Sequence, residues 1–413
     1  MNQITASPPR SADTGAKYVW SAAQPCAHPL HVATQPVALP AARVMLLGLD
    51  WPQTGYLIAA LHAAGIQTTL LSTGRPDRLG LGHYCDQVQT PNETSPDYER
   101  FVREQVELRR PDLIIPLCEP LLERLWSLDP PPAPVYPTIE PWQREIVTDR
   151  TRLYECASEA GVPIAPWMSL EGREGLVHAA RRFGFPLVLR GTGGCAGMQV
   201  RIVHSLEEAR AATDALREIS PGRPFAQAFV AGRRQLCGGV FQAGKMLRSF
   251  TQTTVECHPQ GTGPSIRVRS VRDAAMEAYT AALMRQLRWS GMACAEFMRD
   301  AAGRLILLEI NVRPWAALEV AERCGAELAR TFAEVLSGQP VTGAPAHRAG
   351  LESLVLEGFL RARRNGSIWR TLRGLPWRDA YACLRAIPWR QPWLALHVLR
   401  RAYRACDGAR PSP

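Results

Sequence analysis

Short apolar runs alternate with helical segments through the first third of this chain, and this alternation limits the fold more than any other feature. Each run has the length and continuous hydrophobicity of a buried parallel strand. The runs are VMLLGL (44–49), IQTTLLS (66–72) and DLIIPL (112–117), and the helical segments are 57–65, 97–109 and 119–128. Three strand–helix pairs in succession predict a small parallel α/β domain with right-handed crossovers. No GxGxxG follows the first strand, which argues against a dinucleotide site.

The pattern changes after a Pro-rich stretch at 129–141. A helix is predicted over 148–161, with Thr148 as its N-cap and Gly161 as its stop. Beyond it, the sequence predicts a small α+β unit and then a larger unit of antiparallel strands. The predicted helices are 173–183, 205–219 (with a capping box from Ser205 to Glu208), 272–288 and 315–336, and the predicted strands are 185–190, 198–203, 225–230, 233–241, 245–256, 265–271, 292–300 and 304–311.

Charge and composition separate the two ends of the chain from its body. Residues 1–42 are rich in Ala, Pro, Ser, Thr and Gln without a sustained period, and we interpret them as a disordered leader. The net charge of the 413 residues is +10, and residues 351–413 hold twelve Arg against four acidic residues. A basic tail on a near-neutral body argues against a nucleic-acid-binding surface.

The sequence also argues against several other classes of protein. No apolar run is long enough for a transmembrane helix, and the N-terminus lacks the pattern of a secretory signal. The 11 Cys form no CxxC pair and have no His partners at metal spacing. Reduced thiols in a cytoplasmic protein fit this usage better than a zinc site or a disulfide framework.

LLEINVRP (307–314) combines a strand pattern with chemically active side chains. Residues two apart on a strand share a face, so Glu309, Asn311 and Arg313 are expected to project together. Glu296, on the preceding strand of the same hairpin, can reach the same place. Carboxylate and amide oxygens suit Mg²⁺, and an arginine beside them suits a transferring phosphoryl group. A rim ion pair between Glu309 and Arg313 remains the alternative.

A second stretch, FPLVLRGTGGCAG (185–197), ends a strand at Arg190 and opens into a loop with four Gly in seven residues. Glycine lets backbone N–H groups approach a phosphate closely. The loop lacks the Gly-Lys-Ser/Thr ending of a Walker A motif. Taken alone, it also fits a flexible hairpin.

Together, and in this order, these two stretches resemble the ATP-grasp superfamily over most of residues 44–340. The nearest likeness is to its carboxylate–amine ligase and carbamoyl-phosphate-synthase-like branch. The resemblance implies a pre-ATP-grasp parallel α/β domain (43–140), a cap subdomain (145–221) and a catalytic subdomain (222–345), followed by a basic helical tail (346–413). ATP would then lie between the cap and the catalytic subdomain.

The resemblance also implies roles for individual residues. Arg150 and Arg190 would contact ATP phosphates, with Arg190 also catalytic. Arg313 would stabilise the transition state that forms an acyl phosphate. The remaining implied residues are Gly193, Gly194 and Gly197 in the phosphate loop, Gln227, Phe229 and Val230 in the adenine-binding hinge, Gln235 at the ribose, and Glu296, Glu309 and Asn311 at Mg²⁺, with Mn²⁺ as an alternative ion.

Other polar residues carry two interpretations each. Arg267 and Arg269 share a strand face after the loop at 257–265, and they either hold a substrate carboxylate or lie exposed. Glu119 follows a parallel strand, where α/β ligand sites form, and it is equally an acid at a helix N-terminus. LESLVLEGFL and LALHVL in the tail suggest amphipathic helices that pack on the body, contact a membrane or meet a partner.

The resemblance implies an enzyme that activates a carboxylate as an acyl phosphate and joins it to an amine. An ATP-binding protein without ligase turnover and a carbamoyl-phosphate or carboxylation enzyme are the alternatives. Small-molecule substrates, no nucleic acid and a cytoplasmic location are expected. The two substrates and the oligomeric state, a homodimer included, stay open.

Overall fold

The computed structural model of the chain describes residues 40–48, 51–77, 80–193, 199–219, 222–259, 263–343, 346–364 and 368–407. The leader predicted at 1–42 therefore lies almost wholly outside the described residues. No helix of the described part has both the length and the apolar content needed to cross a membrane.

A parallel four-stranded sheet forms the N-terminal part. Its elements are β1 (Arg43–Leu47), α1 (Pro52–Ala63), β2 (Gln67–Ser72), β3 (Asp86–Gln89), α2 (Asp97–Arg109), β4 (Leu113–Pro116) and α3 (Glu119–Trp126). The strand order is β3-β2-β1-β4, and all pairs are parallel. The three predicted strand–helix pairs are present. β3 was not predicted because DQVQ is a polar edge strand without an apolar run.

Two helices connect this sheet to the next, and they correct one predicted helix boundary. They are α4 (Pro141–Thr148) and α5 (Arg150–Glu159). Thr148 ends α4 and is not the N-cap of α5. Asp149 is the N-cap instead, since its carboxylate accepts the N–H groups of Thr151 and Arg152. An ionised carboxylate in this position stabilises a helix start, and it fixes the first residue, Arg150.

A small antiparallel sheet follows, with two helices. Its elements are β5 (Trp167–Ser169), α6 (Gly172–Phe183), β6 (Leu187–Arg190), β7 (Val200–Val203), α7 (Leu206–Ile219) and β8 (Phe225–Ala228). The strand order is β5-β8-β6-β7. β8 pairs with β5 and β6, so it belongs to this sheet and not to the unit that we began at residue 222.

A six-stranded antiparallel sheet is the largest in the described part of the molecule. Its elements and those that follow it are β9 (Gly232–Gln242), β10 (Lys245–Cys257), β11 (Ser265–Val271), α8 (Ala274–Gln286), β12 (Gly291–Asp300), β13 (Leu305–Asn311), α9 (Leu318–Arg323), α10 (Leu328–Leu336) and β14 (Glu352–Leu354). The strand order is β13-β12-β9-β10-β11-β14. The prediction of a single helix over 315–336 is wrong, since this segment forms two helices. Gly325 and Glu327 have φ of +79° and +51°, a left-handed conformation that ends α9 before α10 begins.

The tail packs as four helices within the described residues, α11 (Leu356–Ala362), α12 (Ile368–Arg373), α13 (Trp377–Arg385) and α14 (Pro392–Asp407). LESLVLEGFL is part strand and part helix, because β14 extends the large sheet beside β11 before α11 begins. α14 lies directly on α1. A Cβ at Gly55 would come within 2.8 Å of Leu394 Cδ1 and 2.9 Å of His397 Cδ2, so any larger residue there would force these buried side chains to shift.

Candidate active site

Two carboxylates face each other across the hairpin of the large sheet. Glu296 on β12 is the register partner of Glu309 on β13, and Cys294 is the partner of Asn311. Directly opposed residues of antiparallel strands have their Cβ atoms about 5 Å apart and on the same side. Glu296, Glu309 and Asn311 therefore share one face, as the spacing of the sequence predicted.

The neighbouring strand β9 adds a residue that the sequence analysis missed. Glu296 pairs with Leu236, and Met298 pairs with Arg234. Arg234 therefore lies on the same face as the two carboxylates, and its positive charge favours the ionised form of both. Its guanidinium donates to the carbonyl of Gly263, which ties the loop before β11 to this face.

Gln235, which we expected at a ribose, lies on the opposite face of the large sheet. It pairs with Phe297 on β12 and with Thr253 on β10. Each of these directly follows a residue of the carboxylate face, Glu296 or Gln252, so its side chain points to the other side of the sheet. The sequence GRRQ (232–235) does not show whether Arg234 or Gln235 points to the carboxylate face. The register with β12 decides it and places Arg234, not Gln235, beside Glu296.

Two arginines from outside the large sheet converge on Glu309. Arg150, the first residue of α5, places its Nη2 at 3.0 Å from Glu309 Oε2. Arg190, the last residue of β6, places its Nη2 at 3.3 Å from the same oxygen. Both guanidinium groups are buried. α5, the small sheet and the large sheet therefore meet at a single carboxylate.

The predicted glycine loop begins at this point. Arg150 Nη1 donates to the carbonyl of Gly191 at 3.3 Å and also to that of Gly193. Gly194 and Gly197 lie outside the described residues. The start of the loop is therefore held by the same arginine that contacts Glu309.

Arg190 is also the centre of a buried polar network. Its Nη1 donates to Tyr154 Oη at 2.9 Å, to the carbonyl of Leu308 at 3.2 Å and to Gln227 Oε1 at 3.3 Å. Tyr154 Oη in turn donates to the Leu308 carbonyl at 2.8 Å. The sequence carried a signal for Tyr154, because it lies four residues after Arg150 on the same helix face.

Several buried polar atoms in this region have no hydrogen-bond partner within the described part of the chain. They are Arg190 Nε, Gln227 Nε2 and Gln252 Oε1, and Gln252 pairs with Leu236 on the carboxylate face. Buried polar atoms are nearly always satisfied in folded proteins. The unpaired donors of Arg190 and Gln227, two side chains in contact with each other, fit a polar ligand such as a nucleotide base. Phe229 and Val230, the other predicted hinge residues, follow β8 with Phe229 exposed.

Arg313 is held by the N-terminal domain. Its Nε lies 2.6 Å from Glu119 Oε2, and its Nη2 donates to Asn311 Oδ1 at 3.4 Å. Glu119 is the first residue of α3, which agrees with its interpretation as an acid at a helix N-terminus. The other oxygen, Glu119 Oε1, is buried without a partner among the residues described.

The two carboxylates have different acidities. Burial raises the pKa of Glu296 to about 7, and the negative charge of Glu309 acts in the same direction. Burial also acts to raise the pKa of Glu309, but Arg150 and Arg190 together bring it below its ordinary value. Glu309 is therefore the permanent anion of the pair at neutral pH.

The oxygen atoms at this site would provide only some of the ligands that a hard cation such as Mg²⁺ requires. No three His, Cys, Asp or Glu side chains form a metal cluster in the part of the chain that is described. Glu296, Glu309 and the amide oxygen of Asn311 could supply three oxygen ligands. Mg²⁺ usually keeps one or two carboxylates and takes its other ligands from water and phosphate, so this set fits an ion that arrives with a phosphate.

Arg267 does not have the substrate-binding role that we considered. Its guanidinium lies 2.6 Å from Asp379, 3.3 Å from Glu352 and 3.5 Å from Glu256. Arg269 lies 3.0 Å from Glu352. Three carboxylates of the chain itself already neutralise Arg267, because the tail folds onto β11.

Comparisons with known proteins agree with this architecture. The chain superposes on N5-carboxyaminoimidazole ribonucleotide synthetase from Thermus thermophilus with a TM-score of 0.58 and 20% identity, covering 75% of this chain and 82% of that one. It also superposes on the biotin carboxylase domain of Hydrogenobacter thermophilus 2-oxoglutarate carboxylase, a dimer in complex with MgADP, ADP and bicarbonate. That TM-score is 0.62 at 16% identity, covering 76% and 73% of the two chains.

Sequence similarity is more limited. No family model matches the chain. Human mitochondrial pyruvate carboxylase is 27% identical over 188 residues, which cover 40% of this chain and only 15% of that enzyme. The structural likenesses show that the chain has the ATP-grasp fold, and the predicted fold class is confirmed.

Proposed function

We propose that this chain is an ATP- and Mg²⁺-dependent ligase that activates a carboxylate as an acyl phosphate and joins it to an amine. The observation that carries the proposal is the meeting of Arg150 and Arg190 at Glu309, directly opposite Glu296. The two arginines supply positive charge for the phosphates, and the two carboxylates supply negative charge for the metal ion.

In this proposal, ATP lies between the small sheet and the large sheet. Arg150 and Arg190 bind its phosphates, and Gly193 lies beside Arg150. Gln227, Phe229 and Val230 line the adenine side, where Gln227 Nε2 has no partner within the described residues. Arg234 replaces Gln235 as the residue of β9 on this face. Mg²⁺, held by Glu296, Glu309 and Asn311, would neutralise charge on the phosphate oxygens when bound, and Mn²⁺ has the same ligand preferences.

The chemistry proceeds in two steps. A carboxylate oxygen of the first substrate bonds to the γ-phosphorus of ATP, the bond to the bridging oxygen breaks, and ADP leaves. The amine nitrogen of the second substrate then attacks the acyl carbon, loses a proton and releases phosphate. Arg313 would stabilise the transferring phosphoryl group, and Glu119, 2.6 Å from its Nε, would orient it. Positioning and charge stabilisation supply most of the rate enhancement in such transfers.

A carboxylating activity is the second candidate. The solved structures with this fold include a carboxylase domain in complex with bicarbonate and a synthetase of a carboxylated amine. Bicarbonate is itself a small carboxylate that an acyl-phosphate mechanism can activate. Omitting or adding bicarbonate in the turnover assay separates the two candidates.

The first test is calorimetric binding of a non-hydrolysable ATP analogue with and without Mg²⁺. We expect micromolar binding that requires Mg²⁺ and that weakens at least tenfold in Glu309→Ala. Asp300→Ala is the matched control, because Asp300 is an acid at the end of the neighbouring strand β12 whose partner is Arg304. No binding by folded wild-type protein would contradict the proposed nucleotide site.

The second part of the test measures ADP release with panels of carboxylates and amines. We expect release to require both substrates and to fall by two to three orders of magnitude in Arg313→Ala, about the loss for removing one charge-stabilising group. Mg²⁺-dependent binding without any release across the panels would favour an ATP-binding protein that does not turn over.

The described cysteines are all free thiols, which supports a cytoplasmic setting for this ligase.

A further inference from the structure

Helix α13 exposes one face that is apolar and aromatic. Trp377, Tyr381 and Leu384 are spaced by four and three residues, so they lie on the same side of the helix. Their exposed fractions are 74%, 56% and 56%. Isolated apolar side chains are ordinary on a surface, but a continuous row of large ones marks a contact surface.

The row continues past the end of the helix and is interleaved with arginines. Trp389 Nε1 donates to the carbonyl of Leu384 at 2.9 Å, which holds a ring that is 59% exposed beside that residue. The Arg378 guanidinium lies 5.5 Å from the Trp377 ring centroid, and that of Arg385 lies 5.9 Å from the Tyr381 ring centroid. We call these six residues, Trp377, Arg378, Tyr381, Leu384, Arg385 and Trp389, the aromatic–basic face.

The opposite side of α13 is fixed to the body of the protein. Cys383 is buried, and Asp379 forms the 2.6 Å ion pair with Arg267 of β11. Arg323 Nη1 donates to the carbonyl of Ala386 at 3.2 Å, just past the end of the helix. The aromatic–basic face is therefore held outward by its anchored opposite side, and it does not depend on a mobile tail.

We propose that the aromatic–basic face docks on the surface of an anionic lipid bilayer. Indole and phenol rings prefer the boundary between headgroups and acyl chains, where one edge is apolar and the other is hydrated. Arginines between those rings meet lipid phosphates, and the six residues of the face include no acid. α13 has 9 residues, about 14 Å of helix, so it lies on the membrane and cannot span it.

Charge and shape favour a bilayer over other partners. If two copies of this face met across a twofold axis, the arginines of one copy would lie near those of the other, and their like charges would repel. An acidic protein offers complementary charge, but it would need a groove matched to four protruding side chains. A headgroup region accepts such side chains without a preformed shape.

The test is flotation of the full-length protein with lipid vesicles. We expect capture by phosphatidylcholine vesicles that contain phosphatidylserine, weak capture by phosphatidylcholine alone, and loss of capture at high salt. Each arginine near an anionic surface contributes about fivefold to partitioning, so Arg378→Gln with Arg385→Gln should reduce capture roughly 25-fold. Trp377→Ala with Trp389→Ala should also release the protein.

Matched controls separate this face from general charge. Arg181→Gln with Arg182→Gln removes two exposed arginines from α6 and should leave flotation unchanged. Failure of the wild type to float with anionic vesicles, or equal loss in the α6 control, would overturn the proposal. A dimer in sedimentation that the face variants abolish, without flotation, would assign the face to a second copy. Capture of polyglutamate without flotation would assign it to an acidic protein.

Discussion

Glu309 is the residue on which separate parts of the fold converge. Its neighbours give it a different charge state from that of Glu296. Arg150 and Arg190 hold it as an anion, whereas Glu296 beside it keeps a raised pKa because burial and Glu309 both oppose its ionisation. Two chemically identical side chains, opposed on adjacent strands, thus have different charge states. The difference comes from which one the arginines can reach.

Glu119→Gln tests the orientation of Arg313. The substitution keeps the shape of the side chain and removes the charge that lies 2.6 Å from Arg313 Nε. Within the proposed ligase, we expect kcat for ADP release to fall about tenfold with little change in the KM for ATP, since a misdirected guanidinium weakens only the transition state.

Glu107→Gln is its control, because Glu107 is an exposed glutamate on α2. An unchanged kcat in Glu119→Gln would show that Arg313 is oriented without Glu119. A rise in the KM for the amine substrate alone would indicate that Glu119 binds that substrate directly.

At the scale of elements, the break between α9 and α10 shows why one long helical pattern became two helices. The amide N–H of Ala329, in the first turn of α10, donates to Glu322 Oε1 at 2.9 Å. Burial raises the pKa of Glu322 to about 7, although this hydrogen bond acts to lower it. A residue near the end of one helix therefore caps the start of the next.

This carboxyl group should make folding stability depend on pH. Its folded pKa exceeds the ordinary 4.5, so its protonated form favours the folded state. The contribution is complete below pH 4.5 and is lost as the pH rises to about 7. Glu322→Gln should remove this loss, which amounts to at most about 3 kcal/mol of unfolding free energy.

Denaturant unfolding at pH 5 and at pH 8 measures this effect. Glu107→Gln, at an exposed position on α2, should keep the wild-type difference between the two pH values. If Glu322→Gln keeps that difference as well, the stability change arises from another group.

At the scale of the whole molecule, the tail helices join the N-terminal domain to the large sheet. Asp77 accepts the N–H of Gly80 at 3.0 Å and pairs with Arg400 of α14 at 2.5 Å. Glu357 of α11 pairs with Arg401 of α14 at 2.7 Å, and β14 extends the large sheet. These contacts neutralise several of the arginines that make the tail basic in sequence.

Asp77→Asn should loosen this connection. It leaves Arg400, whose side chain is 35% exposed, without its anion, so we expect a loss of about 1 kcal/mol in unfolding free energy and faster amide exchange in α14. Asp86→Asn, which removes the exposed partner of Arg109, should change neither measurement. Equal exchange in α14 of wild type and Asp77→Asn would mean that apolar packing alone holds the helix.

The sequence by itself determined most of the strands and helices, the parallel α/β start of the fold and the common face of Glu309 and Asn311. These follow from periods of 2.0 and 3.6 residues, which are local properties of the chain. Only the tertiary structure decided that Arg234 and not Gln235 lies beside Glu296, because that depends on the register between two strands about 60 residues apart. It also decided that Arg150 and Arg190 meet Glu309, and that Arg267 pairs with the tail, because long-range packing brings those charges together.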